Sequence, residues 1–278
     1  MDYEMVERNI ARFITNVVSE AKAEGVVLGL SGGIDSSVAT TLCVKVLGKE
    51  RVVGIFMPAS FTPSEDQSDA RSLAENLHIS TFFAPMTPIV EKLLEAVPIK
   101  EKRRVAVGNV LARMRMIVNY YIANSLNYLV AGTGDRSEIL MGYFTKYGDG
   151  GADLLPIGHL YKTEVRELAA YLGLPPSLAN KPSSPQLWDG QKATDEIPVD
   201  YPTLDRILRG LFDTNQSASD IAKTLNIQLD VVEAVQRAFQ RSRHKRAILP
   251  MPSRTLADPL LSDSTNSAYR TARPAHGE

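Results

Sequence analysis

Four short apolar runs, each followed by a stretch of helical periodicity, constrain this chain more than any other feature. The runs are Val26–Leu30, Val52–Met57, Ile79–Phe83 and Tyr128–Ala131. Ahead of them Val6, Ile10, Phe13, Ile14, Val17 and Val18 recur on one helical face, which predicts a helix over about 3–23. Further helices are predicted over 36–47, 65–77, 89–97 and 105–126. Strands that are apolar on both faces and alternate with helices belong to a parallel sheet covered on each side. The expected fold class is therefore α/β, a doubly wound parallel sheet of about five strands flanked by helices. Crossovers in such a sheet are right-handed and ligands bind at the carboxyl ends of the strands. The loops after Leu30, Phe56, Phe83 and Ala131 are thus expected to share one rim. Beyond the sheet, 146–158 is rich in Gly and Asp and predicts a loop, and 163–172 a helix ended by Gly173. A proline-rich stretch, 175–202, predicts a lid loop, and three helices are expected over 204–211, 219–225 and 229–246. We expect a single domain over 1–252 and a polar C-terminal tail over 253–278.

Composition excludes several classes. The chain has 31 Lys+Arg and 32 Asp+Glu, a net charge of −1, so it lacks the basic excess that general nucleic-acid binding requires. With 44% hydrophobic residues it can bury a sizeable core. Its one cysteine, Cys43, cannot form an internal disulfide, a multi-thiolate zinc site or an iron–sulfur site. No apolar run reaches the ~18 residues of a membrane helix. The N-terminus Met1-Asp2-Tyr3-Glu4 has no signal-peptide layout, and a cytoplasmic location is expected.

The densest chemistry lies in Leu28-Gly29-Leu30-Ser31-Gly32-Gly33-Ile34-Asp35-Ser36-Ser37. A strand runs through Ser-Gly-Gly into a helix. Glycines permit a tight turn and close approach of the backbone to a ligand. The first amides of the helix and its dipole favour an anion, and the serines add hydroxyl donors. Asp35 would repel a phosphate, so its sensible role is to hold a cation that bridges to one. No Lys precedes Ser36 and there is no Gly-x-Gly-x-x-Gly, so neither the P-loop nor the dinucleotide Rossmann fingerprint applies.

The segment Ser31–Ser36 resembles the pyrophosphate loop of the N-type ATP pyrophosphatases. Three more segments narrow the resemblance: Asn109–Met116, Gly132-Thr133-Gly134-Asp135-Arg136-Ser137-Glu138, and the run Gly142–Pro156. Over about 5–250 the chain is similar to the NH3-dependent NAD synthetases. The resemblance implies an adenine nucleotide alpha hydrolase-like fold, and a ligase of NAD biosynthesis that amidates deamido-NAD with ammonia. ATP would activate the carboxylate as an acyl-adenylate, releasing pyrophosphate and then AMP. It implies an ATP site of Gly29, Leu30, Ser31, Gly32, Gly33, Ile34, Asp35, Ser36, Met57, Thr133, Lys162 and Ser184, with Ser184 standing where the family usually has Thr. It implies Mg²⁺ on Asp35 and Glu138, with Asp35, Glu138 and Lys162 as the catalytic groups. Arg113, Lys146, Asp153, His244 and Lys245 would grip deamido-NAD.

Plainer readings accompany these roles. Glu138 could be a first-turn helix acid, Lys162 a solvated side chain, and Asp153 a turn cap. Arg113 and Arg115 are two apart and face different sides of a helix, so that one serves the ligand while the other pairs at the surface. His244 lies in the basic cluster Arg241–Arg246, which without the resemblance reads as a solvated helix end. The pair Asp195-Glu196 either helps order the proline-rich loop on ligand binding or is simply exposed. The rival functions are another amidotransferase of the same superfamily and, through Ser217–Val235, a nucleotide-sensing helix-turn-helix regulator. The family is homodimeric, and Met116, Ile117, Tyr120 and Tyr121 form an apolar patch suited to an interface. With the resemblance spanning most of 278 residues and no cysteine placed as a glutaminase nucleophile, the expected nitrogen donor is free ammonia.

Overall fold

The computed structural model describes residues 1–97, 99, 103–179 and 181–247. The expected 253–278 tail lies outside the described residues. Helix α1 (Tyr3–Glu20) is capped by Asp2, whose side chain accepts from the Met5 amide, and buries Val6, Ile10, Ile14 and Val18 at 4-residue spacing. Strand β1 (Gly25–Leu30) leads into α2 (Ile34–Leu47), β2 (Val52–Phe56), α3 (Ser64–Leu77), β3 (Ser80–Phe83), α4 (Thr87–Ala96), α5 (Arg104–Leu126) and β4 (Tyr128–Val130). Then come α6 (Arg136–Met141), α7 (Lys162–Tyr171) and α8 (Pro176–Ala179). The helix expected over 229–246 is two: α9 (Tyr201–Leu208) and α10 (Ala218–Leu225) precede α11 (Leu229–Arg241) and α12 (Arg243–Arg246).

The strands are all parallel, in the order β3-β2-β1-β4. Four strands are present among the described residues, one fewer than the approximate five expected, and a parallel bridge from Ala131 to Leu154 extends the β4 edge. Period-two alternation splits β1 between two cores. Val26, Leu28 and Leu30 pack with α1, α2, α3 and α7 on one face. Val27, with Val53 and Ile55 of β2, packs with α4 and α5 on the other. The sheet is thus wound on both sides. The departure is β3, expected to be apolar and covered but exposed throughout; as the edge strand it has a neighbour on one side only. Since β2 and β4 flank β1 with crossovers to opposite sides, the sheet's switch point falls between β1 and β4.

By contacts the described residues group into two compact units, Met1–Ile139 with Tyr143–Ile197, and Leu140–Gly142 with the described residues from Pro198 to Ala247. The second unit has its own apolar core, including Leu204, Ile207, Leu208, Ile221, Val232 and Val235. Its helix breaks at Ser242, whose hydroxyl bonds back to the Ala238 and Phe239 carbonyls at 2.7 and 3.1 Å. No helix of the described residues is long and apolar enough to cross a membrane.

Candidate active site

A cavity of about 220 Å³ opens at the carboxyl ends of the strands. All four predicted rim loops line it: Leu30 and Ser31 after β1, Phe56 to Pro58 after β2, Phe83 at the end of β3, and Ala131 to Thr133 after β4. Of the predicted residues, Gly29, Leu30, Ser31, Asp35, Ser36, Met57, Thr133, Glu138 and Ser184 face this space.

The loop between β1 and α2 is braced from within. Ser31 and Ser36 hydroxyls lie 3.1 Å apart, the Gly33 amide donates to Ser31 Oγ at 3.2 Å, and Ser36 Oγ donates to the Gly33 carbonyl at 3.0 Å. Gly32 has φ +76°, and a Cβ there would run into the Asp66 backbone, so only glycine turns the chain at this point. Ser184 is held by the Gln191 carbonyl, to which its hydroxyl donates at 2.6 Å.

Below the loop lies a buried cluster of charge. Lys162 is fully buried, and its Nζ contacts Asp35 Oδ2 at 2.7 Å, Asp135 Oδ2 at 2.9 Å and Glu138 Oε1 at 2.9 Å. It opens α7, where a cation faces the wrong end of the helix dipole; the three carboxylates answer that charge. The Tyr161 amide donates to Glu164 Oε2 at 2.8 Å, and the Lys162 amide to Ser137 Oγ at 3.0 Å, which fixes the first turn. Burial pushes the Asp135 and Glu138 carboxyls above their ordinary range; Lys162 pulls both back, and the negative charge of Asp35 raises both again. The solvated reading of Lys162 is therefore wrong. One oxygen of each of Asp35, Asp135 and Glu138 lies within 4.8 Å of the other two, a spacing able to surround one cation. Asp35 Oδ1 is buried and has no hydrogen-bond partner among the described residues. Hard oxygen donors with an orphaned buried atom suit Mg²⁺.

The sequence reading missed Asp135 as a member of this cluster, although it stands three residues before Glu138, where a first-turn acid caps a helix. Asp135 Oδ1 accepts from the Glu138 amide at 2.8 Å. It also missed Arg115 as a cavity residue. Arg115 is half-buried at the cavity: its Nε donates to the Met57 carbonyl at 3.2 Å and its Nη1 to the Gln186 carbonyl at 3.3 Å. Burial lowers its pKa to about 10, opposed by the charge of Asp149. Gly108, Leu111, Arg115, Asn119 and Ala123 follow one another at spacings of three and four, so Arg115 lies on the inward face of α5 and Arg113 beside it.

The residues assigned to the dinucleotide belong to both units. Arg113 Nε donates to the Lys146 carbonyl at 3.3 Å, bringing those two together. Asp153 accepts from the Tyr120 hydroxyl at 2.9 Å and the Val130 amide at 2.8 Å, so it braces the end of β4. His244 and Lys245 belong to the second unit, where Lys245 Nζ donates to the Gly142 carbonyl at 2.7 Å and a His244 ring nitrogen meets the Arg241 carbonyl at 3.1 Å. Asp195 and Glu196 are exposed, and Glu196 accepts from Tyr143 Oη at 3.1 Å and Gln191 Nε2 at 2.8 Å. Cys43 is buried in α2, and burial pushes its thiol up to about 12, so it offers no nucleophile.

The model of the NAD synthase family matches residues 6–249. The chain belongs to that family. Among curated NAD synthases, the NH3-dependent NAD⁺ synthetase of Hyperthermus butylicus is 48% identical over 253 residues, 91% of each chain. The Methanocaldococcus jannaschii NH3-dependent NAD⁺ synthetase is 44% identical over 251 residues, 90% of this chain and 96% of that one. Among solved structures, NH3-dependent NAD synthetase from Campylobacter jejuni, in complex with nitrate, superposes with a TM-score of 0.77 at 30% identity, covering 91% of this chain and all of that one. NMN synthetase from Francisella tularensis superposes at 0.80 with 33% identity, covering 91% and 99%. Family membership takes the α10–α11 pair out of the helix-turn-helix reading.

Proposed function

We propose that this chain catalyses the ATP-dependent amidation of deamido-NAD by ammonia, yielding NAD, AMP and pyrophosphate. One observation carries the reading: Asp35 and Glu138 reach the same cavity from either side of the sheet's switch point, beneath a serine–glycine loop shaped for phosphate. A pyridine carboxylate is a poor electrophile. In the proposed sequence its oxygen bonds to the α-phosphorus of ATP, the bond from that phosphorus to the bridging oxygen breaks, and pyrophosphate leaves. Ammonia then bonds to the acyl carbon of the adenylate, AMP departs with the bonding pair, and one proton is released. The chain needs no covalent nucleophile for this; it has to orient two nucleotides and stabilise charge on phosphate oxygens.

Loop amides and the hydroxyls of Ser31 and Ser36 bind phosphate in this reading, Met57 and Thr133 the rest of ATP, and Ser184 and Lys162 approach its phosphates. Asp35 and Glu138 would hold Mg²⁺, which supplies positive charge to the phosphates when bound. Arg113, Lys146, Asp153, His244 and Lys245 would serve deamido-NAD. We read the enzyme as a cytoplasmic homodimer; exposed Ile117 and Tyr121 on α5 support the dimer. The likeness to an NMN synthetase favours a second reading, in which the mononucleotide is the acceptor.

Product analysis with ATP, ammonium and either deamido-nucleotide tests both readings. The expected result is NAD with one AMP and one pyrophosphate per turnover, and a much lower kcat/KM for the mononucleotide. Asp35→Asn should abolish substrate-dependent pyrophosphate release while the circular dichroism spectrum stays native. Unchanged turnover in that variant overturns the metal assignment.

A further inference from the structure

Three carboxylates surround Lys162, but they are not equivalent. Asp35 and Glu138 line the cavity, and each side chain keeps 20% of its surface exposed. Asp135 has no exposed surface and does not line the cavity. Its Oδ1 accepts from the Glu138 amide at 2.8 Å, and its Oδ2 lies 2.9 Å from Lys162 Nζ as an ion pair without hydrogen-bond geometry. Only Asp35 and Glu138 therefore stand where a cation entering from the cavity can reach them. An ammonium and a divalent cation repel each other on shared oxygens, so a metal bound there must displace the lysine.

We propose that Asp135 is a positioning residue that holds Lys162 when a divalent cation takes Asp35 and Glu138. This rests on the assignment of those two residues to Mg²⁺ given above. In the metal-free arrangement the ammonium neutralises part of the charge of the three acids. With Asp35 and Glu138 holding a metal, Lys162 would be left to pair with the buried Asp135. Asp135 thus keeps the lysine in the buried cluster without letting it compete for the metal's ligands.

The variant Asp135→Asn separates this role from a structural one. The asparagine oxygen still accepts from the Glu138 amide and preserves the helix cap, while the charge that retains Lys162 is gone. Mn²⁺ binding, followed by electron paramagnetic resonance on the whole chain with ATP present, reads the outcome. We expect affinity for Mn²⁺ to fall about tenfold or more, the range seen when residues that orient a metal site are removed. The melting temperature without metal should stay within a few degrees of wild type. The line shape at saturating Mn²⁺ should be unchanged, because Asp135 is not a ligand. In the Lys162→Met background, Asp135→Asn should weaken Mn²⁺ clearly less than it does in the wild type, because no ammonium remains to compete and only the direct loss of one nearby charge is left. Wild-type affinity in Asp135→Asn overturns the proposal, and so does an altered line shape, which would make Asp135 a ligand. If the wild-type chain binds no Mn²⁺, the assignment of Asp35 and Glu138 to the metal fails and this proposal fails with it; loss confined to Asp135→Asn leaves both standing.

Discussion

At the scale of single residues, the site depends on positions where one side chain is the only one that fits. Gly32 is the clearest case. Its φ of +76° lies in the left-handed region, and the Asp66 backbone occupies the place a Cβ would take. Gly32→Ala should lower stability by at least about 1 kcal/mol in chemical denaturation and raise KM for ATP, because relief of the clash must shift the phosphate loop. Wild-type KM in a stably folded variant would show that the loop is not held by this contact. The motif residues of this loop could be read directly from the sequence, since strand, turn and helix are local. Arg115 could not be read that way by motif alone. Two arginines spaced two apart look alike, and only the registration of α5 against the sheet turns one of them inward. Asp135 was hidden for a similar reason. Its sequence position suggests a helix cap, which it is, whereas its partner Lys162 arrives from 27 residues further along the chain.

At the scale of elements, end signals decide where helices begin. α9 starts at Asp200, whose carboxylate accepts from the Thr203 amide at 2.9 Å. The hydrogen bonds from Thr203 lower its pKa, with burial opposing weakly. Because the folded value is depressed, the stabilisation is present above the unfolded carboxylate range and disappears as pH falls through the folded value. Asp200→Ala should therefore cost about 1 kcal/mol at neutral pH, and Asp200→Asn much less, since asparagine also caps. Urea titrations at neutral and acid pH check both: the Asp200→Ala difference should shrink on the acid side, and an equal loss at both values would remove the carboxylate from the account. Sequence periodicity found most helices and all four described strands to within a few residues. It ran one helix through Ser242, because the break comes from a hydroxyl bonding back to carbonyls rather than from Gly or Pro. It also treated β3 like the inner strands, since edge position is a property of the sheet and not of the segment.

At the scale of the whole molecule, α5 carries one face toward the sheet and cavity and another that is exposed. On the second, Tyr121 is 74% and Ile117 50% exposed, one helical turn apart. Tyr121→Glu should shift the proposed homodimer to monomer in light scattering at micromolar concentration and lower turnover with it. A wild-type chain that is already monomeric would refute the interface. What the amino-acid sequence determined by itself was the class of fold and the serine–glycine loop between β1 and α2, because both follow from periodicity and from residues adjacent along the chain. Its resemblance to a family then supplied the reaction. What only the tertiary structure decided was which carboxylates meet Lys162, which arginine enters the cavity and which strand lies at the edge. Those depend on packing distant segments against one sheet, where a rotation of a helix by one or two residues exchanges a buried side chain for a solvated one.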